Sequence, residues 1–374
     1  MQLHNIRIEG VRNLADGEIN FDTHVNYLFG DNGAGKTSIL EAIHFLAVGR
    51  SFRTNRDNEI LKFDAPYLKI SAKVNDNNEE TEAEIRLADG VKTAFLNQQK
   101  QDKLSSYLGW LPVVTILLAD IDLVSGPPDR RRNFIDLAIS KINKFYLRNL
   151  IEYRAVLMQR NKLLQGTQNV VEEAHYEAWE SALVKYGNEI YAERRKIIPS
   201  LLADAQKFYS VFMENRKIIF EYKINLDTFE SNITNQQEKF LNLLKNNREK
   251  DQELGHTTIG PHRDDIIIKE ESLAQIAGSY RAVRKFGSEG EQRLAALSLK
   301  LAEAELLAKN NRRPIFLLDE VASELDANNT IKLFELIKGQ FIYATAKEFK
   351  NIINRNGKIF YVEKGKITKT ETSG

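Results

Sequence analysis

Three stretches of the chain carry residue types whose spacing can do chemistry. The first is Gly30–Asp31–Asn32–Gly33–Ala34–Gly35–Lys36–Thr37, followed by Ser38, which satisfies the pattern G-x-x-x-x-G-K-[ST]. Glycines let backbone N–H groups wrap around phosphates, Lys36 can reach the β and γ oxygens, and Thr37 can hold Mg²⁺. The run follows the apolar stretch VNYLF and opens the helical pattern TSILEAIHFLAV, the strand-to-helix setting the chemistry requires. The second stretch is PIFLLDEVASELD, in which four apolar residues, Ile315 to Leu318, read as a buried parallel strand ending at Asp319 and Glu320. Asp319 is placed to hold Mg²⁺ and Glu320 to polarise an attacking water. The third is FGSEGEQRLAALSLKLAEAEL, where Ser288 and Gly290 open an apolar-periodic helix. Such a helix start can greet an anion. Ser288 with Glu291 three residues on fits an ordinary capping box equally well.

The elements that must position these groups fall into three textures. Short strands and turns fill the first third: QLHNIRIEGV, EINFD, VNYLF, YLKISAKV and TEAEIRLA, with Asp89–Gly90 as a hairpin turn. A helix is expected from Lys36 to about Val48. The apolar segment LPVVTILLADIDLVSGPPDRRR then runs into a Gly-Pro-Pro break. Residues 129–255 read as long amphipathic helices with one strand-like interruption, KIIFEYKINL. Residues 131–165 read as one helix of roughly 50 Å, long enough to project as an arm. After Gly255 the α/β texture returns. We therefore expect an α/β head built from 1–128 and 256–374, a mixed sheet carrying the phosphate loop, split by a mainly helical domain at 129–255.

Composition narrows the function classes. The 374 residues contain 53 Lys and Arg against 52 Asp and Glu, so a nucleic-acid surface has to be a local patch. There is no cysteine, which excludes disulfides, thiolate catalysis and cysteine-held metals. The six histidines lack metal-ligand spacing. No apolar run is long enough for a membrane span, and MQLHNIRIEG lacks a signal-peptide pattern, so a cytoplasmic protein without membrane partners is expected. The local patch is sought along the helical insertion. Arg130, Arg131 and Arg132 follow the Pro-Pro break, and Lys141, Lys144, Arg148, Arg154, Arg160 and Lys162 follow with few acids among them. This stripe could neutralise DNA phosphates without reading bases, or be a solvated helix face.

The order of phosphate loop, helical insertion, Ser-x-Gly-x-Gln helix, acidic strand and SELD turn resembles the SMC-like branch of the ABC-type ATPases, and within it the RecF family. The resemblance extends over GDNGAGKTSILEAIHFL, GPPDRRRNFID, GPHRDD, SEGEQRLAALSLKLAEAEL and LLDEVASELD. It implies an ABC-type ATPase head that binds ATP with Mg²⁺ and forms an ATP-dependent homodimer. Ser288, Gly290 and Gln292 would then meet the γ-phosphate held by the partner's loop, and Asp326 would lie on the seam. It further implies duplex DNA near single-stranded gaps as ligand, slow DNA-stimulated hydrolysis, and work with RecR and RecO to load RecA, with SOS induction. Arg12, in VRNL, matches the family's early Arg-Asn pair and could approach phosphates. Arg263, in GPHRDD, becomes a phosphate or interface contact. Three departures stand out. Where transport-type domains carry a glutamine, this chain has Asp120 and Asp122, which makes Asp120 a possible metal ligand. Leu118 stands where the family often has proline. The switch histidine is absent, with Thr345 nearest. Rival readings are an ATPase subunit of a transporter, a small-molecule kinase and a structural SMC-type linker.

Overall fold

The computed structural model describes residues 1–76, 79–166, 173–214, 216–226, 233–271, 280–309, 312–347 and 356–372. Strands β1 (Gln2–Glu9), β2 (Gly17–Asn20) and β3 (Val25–Phe29) lead into helix α1 (Lys36–Val48). Strands β4 (Tyr67–Asp76), β5 (Glu79–Ala88), β6 (Val91–Leu96) and β7 (Gln99–Lys100) form a meander, and α2 (Leu104–Tyr107) precedes β8 (Val113–Leu117). Next come α3 (Pro128–Ile142), α4 (Lys144–Gln165), α5 (Glu173–Phe212), β9 (Ile218–Lys223), α6 (Ile233–Asn246) and α7 (Arg248–Leu254). Strands β10 (Asp265–Glu271) and β11 (Tyr280–Ala282) and the short α8 (Val283–Phe286) follow. The chain closes with α9 (Glu289–Ala308), β12 (Ile315–Asp319), α10 (Ala327–Leu336), β13 (Phe341–Thr345), β14 (Lys358–Glu363) and β15 (Lys366–Thr372).

The chain divides into two compact units. The first holds Met1–Ile121, Phe208–Glu214 and Ser288–Gly374; the second holds Asp122–Lys207 and Asn215–Gly287. The first unit has an antiparallel sheet in the order β2-β1-β4-β5-β6-β7 and a mixed sheet in the order β15-β14-β3-β13-β12-β8. In the mixed sheet β14, β3, β13, β12 and β8 run parallel and β15 turns back antiparallel. β3, β12 and β13 are nearly continuous buried apolar runs, as parallel strands covered on both faces must be. Helix α1 is buried on all sides rather than along one stripe. Its Leu40, Ile43 and Leu46 join Ile6, Ile70 and Ile85 of one sheet and Leu317 and Ile342 of the other in one core.

The expected single helix over 131–165 is two helices. Asn143 ends α3 and starts α4: its Oδ1 accepts from the Tyr146 amide at 2.9 Å, and its Nδ2 donates to Glu193 Oε2 at 2.7 Å. Asparagine competes for the backbone in this way, so a helical period read through it overruns a break. The next helix is uninterrupted: α5 runs 40 residues through Pro199, roughly 60 Å.

Both domain boundaries also move. The first falls at 121/122 rather than 128/129, and the second at 287/288 rather than 255/256. The physical cause of the second is strand pairing. β10 lies antiparallel to β9, with Ile266 opposite Tyr222 and Ile268 opposite Phe220, and β11 extends the same small sheet. A strand cannot leave its partner without exposing its backbone groups, so 256–287 belongs to the helical unit.

Candidate functional site: a phosphate cradle beside an acidic strand

The parallel strands set the site. In register, Phe29 of β3 lies opposite Thr345 of β13, Ala344 lies opposite Asp319 of β12, and Asp319 lies opposite Leu117 of β8. The phosphate loop, the two acids and the turn after β8 therefore leave the sheet along one edge, at the carboxyl ends where α/β sheets bind ligands. The loop needs its glycines for space. A Cβ at Gly30 would lie 2.2 Å from the carbonyl oxygen of Val362, and Gly35, at φ +115°, approaches Gly365 and Leu14. The Gly365 amide donates to the Ala34 carbonyl at 2.7 Å, pinning the loop from the β14–β15 turn.

Lys36 is 5% exposed and bends over its own loop, donating to the carbonyls of Gly30 at 2.7 Å and Asp31 at 3.0 Å. Its Nζ also stands 3.5 Å from Glu320 Oε1. Thr37 Oγ1 lies 3.0 Å from each carboxylate oxygen of Asp319. Burial pushes the Asp319 carboxyl up, Glu320 adds to the rise, and the Thr37 hydroxyl opposes it. A divalent cation favours the charged form, so this pair of oxygens fits Mg²⁺, which takes one or two protein oxygens and completes its shell with phosphate and water. Among the described residues no group of three or more His, Asp or Glu forms a dedicated cage. Glu320 sits at φ +52°, the left-handed region, held by its amide to the Ala344 carbonyl at 2.9 Å and by Ser323 Oγ donating to its carbonyl at 2.7 Å. That backbone turn aims the side chain toward Lys36, a conformation costing about 1–3 kcal/mol that is common at functional sites.

Helix α9 starts as a full capping box. Ser288 Oγ accepts from the Glu291 amide at 3.2 Å, and Glu291 Oε2 accepts from the Ser288 amide at 2.6 Å. Ser288 and Gly290 are nonetheless exposed, an added Cβ at Gly290 would meet nothing within 4 Å, and Gln292 is half-buried one turn on. Cap and presented helix end thus coexist. Asp326, also exposed, caps α10 by accepting from the Asn329 amide at 2.8 Å, which with other amides holds its carboxyl below the usual range.

Several expected roles are corrected. Arg12 makes a two-pronged clamp on fully buried Glu41, with Nε and Nη2 at 3.0 and 2.8 Å. Asp120 caps the turn after β8, its Oδ2 accepting from the Leu117 amide at 2.7 Å, and its charge supports Lys300 of α9. Arg131 is buried, donating to Asp265 at 2.6 and 3.0 Å and to the carbonyls of Leu123 and Gly126. Lys141 is buried, and Arg160, with no exposed surface, is locked between Glu180 and Asp251 at 3.0 and 2.7 Å. None of these three can meet a DNA backbone. Arg130, Lys144, Arg148 and Lys162 remain exposed and Arg132 half-buried. Arg263 donates twice to the Thr257 carbonyl and holds a turn. Thr345 is buried, its Oγ1 accepting from the Lys347 amide at 3.1 Å.

The sequence reading missed the brace behind the loop. Asn13 donates to the Gly33 carbonyl at 3.1 Å and accepts from Ser38 Oγ at 3.0 Å, so the Ser38 side chain serves the loop itself. Glu41 gathers Arg12, Ser51 and Arg53. One signal was available: Glu41 is the lone charge inside the apolar run SILEAIHFL, and such a charge needs buried partners.

Comparison with known proteins agrees with this geometry. The family model for the RecF/RecN/SMC N terminal domain matches residues 2–368. The chain is 36% identical over 377 residues to the DNA replication and repair protein RecF of Streptococcus agalactiae serotype Ia, covering 99% of each chain. It is 34% identical to the RecF of Bacillus cytotoxicus, covering 98% of each. Among solved structures, the recombination mediator RecF with ATP, from the RecFOR pathway, superposes with TM-score 0.87 at 30% identity, covering all of this chain and 98% of that one. An Smc head bound to a winged-helix domain of ScpA shares the fold at TM-score 0.57 and 17% identity. Full-length identity, an ABC-type head fold and a phosphate loop facing Asp319 and Glu320 together place this chain in the RecF family of SMC-like ABC-type ATPases.

Proposed function

We propose that this chain is an ATP-gated DNA clamp of replication and repair. Two copies close head to head around two nucleotides. The loop of each copy, Gly30 to Ser38, cradles a triphosphate, and Ser288, Gly290 and Gln292 of the other copy cover its γ-phosphate, with Asp326 at the seam. Mg²⁺, held by Thr37 and Asp319, would neutralise charge on the β and γ oxygens. Lys36 exchanges its loop carbonyls for phosphate oxygens, and Glu320, released from Lys36, orients and deprotonates the attacking water. Slow hydrolysis, stimulated by DNA, removes the γ-phosphate and loosens the dimer. Exposed cations of the second unit, among them Arg130, Lys144 and Arg148, contact backbone phosphates of duplex DNA near gaps without reading bases. Work with RecR and RecO in loading RecA, and SOS induction in the cytoplasm, complete the reading. No helix among the described residues is long and apolar enough to cross a membrane.

One observation carries the shared site. The unit that holds a braced phosphate cradle also presents, on its surface, a fully capped helix start with an unobstructed glycine. A kinase acting alone has no use for that second anion-ready end. The test is complementation. Lys36→Met and Ser288→Arg proteins, each inactive alone, should on mixing recover about a quarter of wild-type ATP turnover, since half the dimers are mixed and each has one intact site. A mixture as inactive as its components would sink the reading.

A further inference from the structure

We propose that a cavity inside the second unit, between the start of α3 and helices α4 and α5, is a seat for one phosphate oxyanion, held by Arg132 with Arg154. The cavity measures about 80 Å³ and is bordered by the cations Arg132, Arg154 and Arg194, by His262, and by the carboxylates Asp129 and Asp136. One water needs about 10–15 Å³ of such space, so a polyatomic group fits. Asp129, Asn133 and Arg154 are exposed at its rim, so it opens to solvent.

The charges of this region nearly cancel. Arg131 is matched by Asp265, and Arg194 by Asp264 and Asp136. Arg154 shares Asp136 at 2.8 Å. His262 is neutral, because burial holds its pKa at about 3. Two guanidiniums have no such match among the described residues. Arg263 donates twice to the Thr257 carbonyl. Arg132 has a single acceptor there, the Asp264 carbonyl at 3.0 Å from Nη1. It is half-buried, and burial with the like charges of Arg263 and Arg194 disfavours its cation. Asp129 and Asp265 offset this only through space. Across five arginines and four aspartates one positive charge is in excess. A guanidinium short of acceptors, partly desolvated and beside a second arginine, suits the two oxygens of a phosphate.

Two sources share this chemistry: a polynucleotide backbone phosphate and free phosphate. The first rests on the DNA-binding reading above; the second does not. A labelled 30-base-pair duplex is titrated by fluorescence anisotropy across about 50–200 mM salt, the range over which phosphate contacts dominate affinity. Against wild type, Arg132→Gln should lower the slope of log affinity on log salt by about 0.9, one phosphate contact. Arg132→Lys, which keeps the charge, should retain the slope. In parallel, the Arg132 Nε–H resonance of the wild-type protein is followed during titration with inorganic phosphate, a measurement that needs no variant to fold. A reduced slope assigns the seat to the polynucleotide. An unchanged slope with an Arg132 resonance that moves and saturates assigns it to free phosphate. If wild type binds no duplex, the DNA reading fails by itself and the resonance alone decides the seat. An unchanged slope together with an unmoved resonance overturns the proposal.

Discussion

The phosphate cradle and the core of the helical unit both gather charged side chains at low exposure, yet they treat them in opposite ways. In the cradle, Lys36 is held by two loop carbonyls and faces one carboxylate at 3.5 Å, and Thr37 faces Asp319. These are replaceable partners at an open sheet edge. In the helical unit the buried guanidiniums of Arg131, Arg160 and Arg194 are held by several partners each. Arg194 donates to the Tyr146 and Tyr222 hydroxyls, the Pro261 carbonyl, Asp264 and Asp136. Arg160 does the same with Glu180, Asp251 and Thr257. Burial pushes Asp136 up, but Arg194 and Arg154 outweigh it and hold its carboxyl below the usual range. For Asp264, burial outweighs the same Arg194 and its carboxyl is raised. The difference teaches that a buried charge marks a ligand site when its partners can be exchanged, and a structural lock when they cannot.

Breaking one member of each set sharpens this contrast. Arg194→Met leaves Asp136 and Asp264 buried without their cation and should cost about 3–5 kcal/mol. Lys36→Met should cost less stability while abolishing nucleotide binding. Urea unfolding followed by amide exchange, with an ATP titration, compares the two, and equal stability losses would erase the distinction.

A smaller effect comes from pH. His262 bonds Tyr153 at 2.7 Å and the Thr257 carbonyl at 3.0 Å, and burial lowers its pKa from 6.5 to about 3. The unfolded chain therefore takes up this proton first as pH falls, so stability is lost below 6.5. Between pH 7 and 5 the loss should be about 2 kcal/mol, and His262→Gln should lack that share. Parallel pH curves for the two proteins would remove His262 from the lock. The smallest effect belongs to the exposed face. Arg148→Gln should shift the unfolding free energy by no more than about 0.5 kcal/mol. A loss above that would mean Arg148 belongs to the mated set.

Much of the head was readable in advance. VNYLF, the helix from Lys36 and the strand Ile315–Asp319 all stand where expected, because a buried parallel strand is an apolar run and a phosphate loop has a rigid spacing. The capping box at Ser288 was readable for the same local reason. The helical unit was not. Arg131 and Arg160 look in sequence like Arg130 and Arg148, and their partners lie 134, 20 and 91 residues away. GPHRDD read as a turn with one interesting arginine. It is instead the clasp of the helical unit, with His262 on Tyr153, Asp264 on Arg194 and Asp265 on Arg131.

The amino-acid order alone determined the chemistry of the cradle, since glycine geometry, the reach of Lys36 and the apolar strand before Asp319 are set within a few residues. Only the tertiary structure decided which cations face solvent, where the helical unit ends, and that Arg12 serves Glu41. Those outcomes depend on pairing between groups far apart in the chain, and the desolvation of a charge is a property of its surroundings rather than of its residue type.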